Sequence, residues 1–254
     1  MSLETVKDLL TNLRLHTAAR ELSDVLAAQK RSVPLDWVEH LLSREWDVRR
    51  ERAIEKRIKA ADFPEVVTIE GFDWSFNPDL DEARIKRLAD LDFVGDRRIA
   101  LFLGKPGTGK THLALAIGIR AARVGHRVYC TSVKRLGQQI MLAKQHGRLD
   151  RLFTKMLSAS LWILDDWGVV SMTREVAEEV FDLLDRRKHS AAMILTSNRD
   201  VCEWGQVFPE PVLASAAIDR LFDRAEIILF GGDSYRLKGR IINPELDDRG
   251  IRGH

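Results

Sequence analysis

Apolar residues in the N-terminal part of the chain recur at helical spacing: Leu3, Val6, Leu9, Leu10 and Leu13, then Ala18, Leu22, Val25 and Leu26. No strand-like stretch interrupts them, so the segment reads as all-helical. Pro34 falls in the first turn of a longer helix, where its missing N–H costs little. That helix turns heavily charged through Arg49–Arg52 and Glu55–Arg57 and stops near Phe63 and Pro64. Charge of both signs at this spacing suits a solvated, ion-paired face; a docking or DNA-facing surface is the alternative.

From residue 98 the pattern changes. Short apolar runs at Arg98–Leu103, Arg127–Thr131, Leu161–Leu164, Ala192–Thr196 and Ala225–Phe230 predict buried strands. They alternate with helix-length segments at His112–Arg120, Val133–Lys144, around Leu152–Leu157, Arg174–Lys188 and Val212–Phe222. This alternation predicts an α/β fold, a parallel sheet with helices on both faces. Between the two halves, residues 66–78 read as an extended connector with Gly71 and Pro78. Its Phe72, Trp74 and Phe76 alternate, which sends the rings to one side, onto the following domain. A helical segment from Leu80 to Leu91 leads to the first strand. The expected division is a small helical domain over 1–65, connector and lead-in helix over 66–97, an α/β domain over 98–240 and a tail over 241–254.

Composition narrows the class without deciding it. The 254 residues are 45% hydrophobic and 31% charged, as in a soluble globular protein with a full core. The formal net charge of +2 does not announce a nucleic-acid binder, so any such contact must come from local patches. Cys130 and Cys202 are isolated, without C-x-x-C spacing, which fits a reducing compartment and no zinc site. There is no apolar run of transmembrane length, and Met1–Asp8 lacks a signal-peptide layout. A cytoplasmic protein with no membrane partner is expected.

The candidate chemistry begins at Gly104-Lys105-Pro106-Gly107-Thr108-Gly109-Lys110-Thr111, a full match to the phosphate-loop pattern G-x-x-x-x-G-K-[ST] between a strand and a helix. Glycines at 104, 107 and 109 let successive N–H groups face one anion, and the helix that follows adds the positive end of its dipole. Lys110 reaches the outer phosphates, and the Thr111 hydroxyl can ligate Mg²⁺. A nucleoside triphosphate is the expected ligand. The strand Leu161–Leu164 ends in Asp165 and Asp166. Asp165 would hold Mg²⁺ beside the loop, and Asp166 would polarise the attacking water. Asn198, just past the next strand, could hold that water or the terminal phosphate, although Ser-Asn also simply marks turns. Arg220, in Asp219-Arg-Leu221, could stabilise phosphoryl charge in a neighbouring subunit or could pair with Asp219 or Asp223. No Asn-Lys-x-Asp guanine motif is present, so adenine is favoured.

Gly104–His112, Leu-Asp-Asp-Trp-Gly168, Leu-Thr-Ser-Asn198 and Ala217–Leu221 together resemble the IstB/DnaC group of AAA+ ATPases. Leu13–His16, Thr68–Asp73, Glu203–Phe208 and Gly232–Arg236 bring the likeness closer to IstB-type transposition helpers, over residues 9 to 238 or so. The resemblance implies an AAA+ core with strand order 5-1-4-3-2, preceded by a helical domain that meets a partner or DNA. It implies Walker A at Lys110 and Thr111 with His112 beside them, Walker B at Asp165 and Asp166, sensor 1 at Asn198 and an arginine finger at Arg220. Arg236 becomes a further phosphate-facing or subunit-contact arginine, or a surface residue after the last strand. Two departures stand out. Asp166 occupies a place where most AAA+ proteins have Glu, which suits a slow ATP switch. The chain also ends soon after its last strand, so no C-terminal lid is expected.

For DNA, the helices between the second and third strands carry Lys134, Arg135, Lys144, Arg148, Arg151 and Lys155 with few acids among them. Such contacts would give affinity without sequence specificity; a merely solvated basic face is the alternative. The resemblance thus implies a bacterial, cytoplasmic, Mg²⁺-dependent ATPase that oligomerises around double-stranded DNA. It would recruit or stimulate the transposase of the same element, with hydrolysis resetting the complex. The rival readings are a DnaC-type loader of a replicative helicase and a nucleotide-gated adaptor with negligible hydrolysis.

Overall fold

The computed structural model describes residues 3–29, 34–188 and 190–237. The chain divides into two compact units, residues 1–57 and 58–254, with the division inside a long helix. In the first unit, α1 (Leu3–Asn12) buries Val6 and Leu10 and packs on α2 (His16–Ala27). The long helix, α3 (Asp36–Ala61), buries only Ala61 and has no apolar face. It gains side-chain support within the helix from the Glu45–Arg49 pair at 2.6 Å, and Arg49 also donates to the Leu13 carbonyl at 3.1 Å. Pro34 lies just ahead of this helix rather than in its first turn, because the Leu35 carbonyl accepts the first helical N–H, from Glu39 at 2.9 Å.

The second unit is built on a parallel five-stranded sheet. Its strands are β1 (Ile99–Gly104), β2 (Val128–Ser132), β3 (Leu161–Trp167), β4 (Ala192–Ser197) and β5 (Ala225–Phe230), in the order β2-β3-β4-β1-β5. This is the 5-1-4-3-2 arrangement, and every pairing is parallel. Side chains alternate between two cores as the strand period demands. Leu101, Trp162, Leu164 and Leu195 pack on one face with α7 (Val133–Gln145), α8 (Leu149–Leu157), α9 (Arg174–Arg187) and α10 (Pro211–Phe222). Phe102, Ile163 and Ile194 pack on the other with α4 (Glu82–Ala89), α5 (Asp92–Gly95) and α6 (Lys110–Val124). Both faces are covered, which explains why the strands read as unbroken apolar runs.

The segment from Leu80 to Leu91 holds one helix, α4, and a left-handed Leu91 (φ 71°) separates it from the short α5 that follows. The expected extended connector needs correction. Local bonds fold it: Gly71 N–H to the Thr68 hydroxyl at 3.2 Å, Ser75 to Asp73 at 2.6 Å, and Leu80 N–H to the Asn77 carbonyl at 3.1 Å. A 3₁₀ turn at Trp74–Phe76 lies between them. Phe72 and Trp74 therefore meet each other edge to face at 4.8 Å, while Phe76 meets Tyr235 at 4.9 Å. The expected lid absence and the 241–254 tail fall on residues 238–254, outside the described residues.

Candidate functional site

The C-terminal ends of β1, β3 and β4 lie side by side and open into a cleft of about 320 Å³. The phosphate loop forms one wall. Gly107 (φ 80°) and Gly109 (φ 96°) have backbones that side chains rarely adopt, and neither has room for one. A Cβ on Gly107 would stand 2.0 Å from the Ser234 hydroxyl, and one on Gly109 2.5 Å from the Phe72 ring. Glycine is thus demanded twice over, by conformation and by close approach. Lys110 starts α6 and is buried, with its ammonium donating to the Gly104 and Lys105 carbonyls at 2.7 Å each. Burial pushes its pKa down to about 8, Asp165 and Asp166 pull it back up, and Arg236 adds a small push downward. Thr108 is buried and donates to the Lys105 carbonyl at 2.9 Å; Pro106 stands exposed at the crest of the loop. His112 lies behind it, with Nε2 3.2 Å from the Thr68 carbonyl and its ring beside Phe72.

The opposite wall comes from an irregularity in β3. Its pairing with β4 shifts register between Leu164 and Trp167, so Asp165 and Asp166 occupy a bulge, and Asp166 takes a left-handed backbone (φ 59°). Asp165 Oδ1 accepts from Thr111 Oγ1 at 2.8 Å and from Thr196 Oγ1 at 2.6 Å, while Thr196 Oγ1 accepts the Asp166 N–H at 3.1 Å. One hydroxyl thereby ties the Asp165 carboxylate to the Asp166 backbone. The Asp166 carboxyl is held above its ordinary pKa, first by partial loss of water and then by the Asp165 charge, with Arg236, Lys110 and Asn198 opposing. Asn198 Nδ2 reaches Asp166 Oδ1 over a long 3.5 Å. Thr196 is the site residue that reading the sequence missed. It stood within Leu-Thr-Ser-Asn198, but only the β3–β4 register reveals that it faces the acidic pair.

The arrangement brings together Lys110, Thr111, Asp165, Asp166, Asn198 and, from the segment after β5, Arg236. It does not bring Arg220. That guanidinium donates to Asp185 at 2.7 Å and to Asp219 at 3.0 Å, and it does not line the cleft. Asp223, the other partner considered, pairs with Lys188 at 2.9 Å. Of the basic residues on α7 and α8, Lys134, Arg135, Lys144 and Arg148 are exposed, but acids from other elements reach two of them. Arg135 pairs with Asp62, and Lys144 with Glu179 at 2.8 Å. For a magnesium ion the donors fit: Thr111 and Asp165 supply neighbouring oxygens, and a small, hard ion that keeps several waters needs few protein ligands. Among the described residues no group of three or more His, Cys, Asp or Glu forms a metal cage, and no helix is long and apolar enough to cross a membrane.

A family model described as IstB-like ATP binding protein matches residues 7–242. An ATP-binding protein of insertion sequence IS21 from Pseudomonas aeruginosa is 40% identical over 91% of this chain and 88% of its own. An ATP-binding protein of insertion sequence IS5376 from Geobacillus stearothermophilus is 36% identical over 81% of this chain and 82% of its own. Among solved structures, AMPPCP-bound DnaA from Aquifex aeolicus superposes with a TM-score of 0.57 at 21% identity, covering 76% of this chain and 58% of that one. The DnaC helicase loader superposes at 0.52 with 19% identity, over 69% of this chain and 99% of that one. At such identities the structural likeness establishes the fold alone.

Proposed function

Because the chain belongs to the IstB-like ATP binding protein family, we propose that it is a Mg²⁺-dependent ATPase that assembles on double-stranded DNA and recruits or stimulates the transposase of its own insertion sequence. The observation that supports this reading best is the bonding around Asp165. Thr111 of the phosphate loop, Asp165 at the end of β3 and Thr196 at the end of β4 are joined within 2.8 Å. Triphosphate and catalytic carboxylate would thus be held at one place. Relatives named for insertion sequences favour transposition over helicase loading.

In this reading the loop N–H groups and Lys110 bind the phosphates, and Lys110 exchanges its bonds to the Gly104 and Lys105 carbonyls for phosphate oxygens. Thr111 and Asp165 hold Mg²⁺, which when bound neutralises charge on the phosphate oxygens. Asp166 orients the water that attacks the terminal phosphate and accepts its proton; its raised pKa suits a general base. Asn198 steadies that water. Asp166 has a shorter reach than the Glu usual in AAA+ proteins, which favours slow turnover. Arg220 acts in trans, leaving Asp185 and Asp219 to meet a neighbour's phosphate. Lys134 and Arg148 are the readier DNA contacts, since Arg135 and Lys144 must first give up internal partners. The helical region over 1–65 exposes Trp37 and Leu41 and is assigned to the transposase.

Fluorescence anisotropy of labelled duplex DNA tests the assignment. Binding should require a triphosphate and weaken steeply with salt, as phosphate contacts from several subunits demand. Equal binding without nucleotide would contradict it.

A further inference from the structure

Residues 231–237, the strap that follows β5, contain no strand or α-helix, yet they bring Arg236 to the cleft beside Lys110 and Asp166. Contacts on two sides hold the strap. Toward the phosphate loop, the Tyr235 N–H donates to the Gly107 carbonyl at 2.9 Å, and Ser234 lies against Gly107. Toward the connector, Phe76 meets the Tyr235 ring, and Asn77 lies against Gly232. Asn77 is only 2% exposed. Its Nδ2 donates to the Thr108 carbonyl of the phosphate loop at 3.4 Å. Among the described residues its buried Oδ1 has no hydrogen-bond partner, and a Cβ added to Gly232 would stand 3.3 Å from it. Buried amides nearly always have both ends engaged. Here one end grips the loop, and the other faces strap backbone at a glycine with φ 82°. The turn at Asn77-Pro78, closed by the Leu80 N–H, fixes the residue from behind.

We propose that Asn77 is a positioning residue that couples the phosphate loop to the strap, sets where Arg236 stands, and thereby governs the preference of the site for a nucleoside triphosphate over a diphosphate. This rests on the phosphate-site reading above. Arg236 lines the cleft together with Lys110 and Asp166; with Asp166 assigned to the terminal phosphate, the placement of Arg236 should affect triphosphate and spare diphosphate. The electrostatics agree, since the Arg236 charge is felt at both Lys110 and Asp166.

A double-mutant cycle in the full chain tests the coupling. Calorimetric affinities for a non-hydrolysable ATP analogue and for ADP are measured in wild type, Asn77→Ala, Arg236→Ala and the double variant. Each single change should lower the triphosphate-to-diphosphate affinity ratio about tenfold, and Asn77→Ala added to Arg236→Ala should lower it less than about twofold further. ADP affinity in Asn77→Ala should stay within about threefold of wild type. Asn77→Leu, close in volume but without either end of the amide, should reproduce the loss and decides the matter if Asn77→Ala does not fold. An unmoved ratio, or an equal loss in the Arg236→Ala background, overturns this inference alone. A wild-type chain that binds neither nucleotide overturns the phosphate-site reading itself.

Discussion

The phosphate cleft and the basic face of α7 and α8 are both lined by charged residues, yet the fold treats them differently. In the cleft, Lys110 is buried, and Thr111 of α6 and Thr196 near the end of β4 both bond Asp165 near the end of the adjacent β3. On the basic face all six candidate cations are exposed, and two of them, Arg135 and Lys144, are turned toward acids from elsewhere in the chain. Chemistry that requires fixed distances sits on strand ends held by the sheet, where burial makes each hydrogen bond consequential. Contact with a nucleic-acid backbone tolerates mobile, solvated cations, so it can rest on side chains whose neighbours are incidental. Removing one group should therefore be severe in the first region and mild in the second.

Lys110→Ala tests the severe side first. It removes the cation aimed at the outer phosphates, and ATP affinity should fall on the order of 10²-fold or more by titration with labelled ATP. Near-normal affinity would detach the loop from phosphate binding. Arg220→Ala should leave ATP binding by single subunits intact while lowering DNA-stimulated turnover on the order of 10³-fold. Mixing it with Lys110→Ala subunits should restore partial activity, because some sites then combine an intact cleft with an intact finger. If mixed assemblies form and nothing returns, Arg220 works within its own subunit. Asp166→Asn keeps the shape and loses the base; turnover should drop about 10²-fold with ATP binding retained, and ATP-dependent DNA complexes should last longer. Unchanged turnover would make Asp166 structural. The mildest effect is expected on the basic face. Replacing Lys134 and Arg148 by Ala should weaken DNA binding several-fold alike on all sequences and flatten the salt dependence, and Lys144→Ala should do less, since Glu179 already engages that ammonium. A larger loss from Lys144 would reverse this ranking.

The same contrast governs how much could be read from the sequence. The phosphate loop and Asp165-Asp166 were legible because they are local: glycine spacing and a strand end need no knowledge of the rest of the chain. Strand positions were legible because β1 to β4 are buried on both faces and the edge strand β5 is apolar although Leu229 is exposed; the observed ends differ from the apolar runs by few residues except in β3, which continues through its bulge to Trp167. What escaped was non-local or conformationally unusual. Thr196 needed the β3–β4 register, and Asp185 and Glu179 come from α9 to meet Arg220 and Lys144. The short α5 after the lead-in helix starts from a left-handed Leu91, which side-chain sterics make uncommon. The aromatic connector mimicked strand alternation, but hydrogen bonds accepted by Thr68, Asp73 and Asn77 commit it to turns.

The central claim is that the cleft hydrolyses ATP in the service of assembly on DNA. Phosphate release by the intact chain, followed with and without duplex DNA at low and high salt, tests it most directly. The account predicts slow release by the protein alone, a marked rise with duplex DNA and loss of that rise at high salt. Tight ATP binding with no measurable release under any of these conditions would contradict it and leave a nucleotide-gated adaptor in its place.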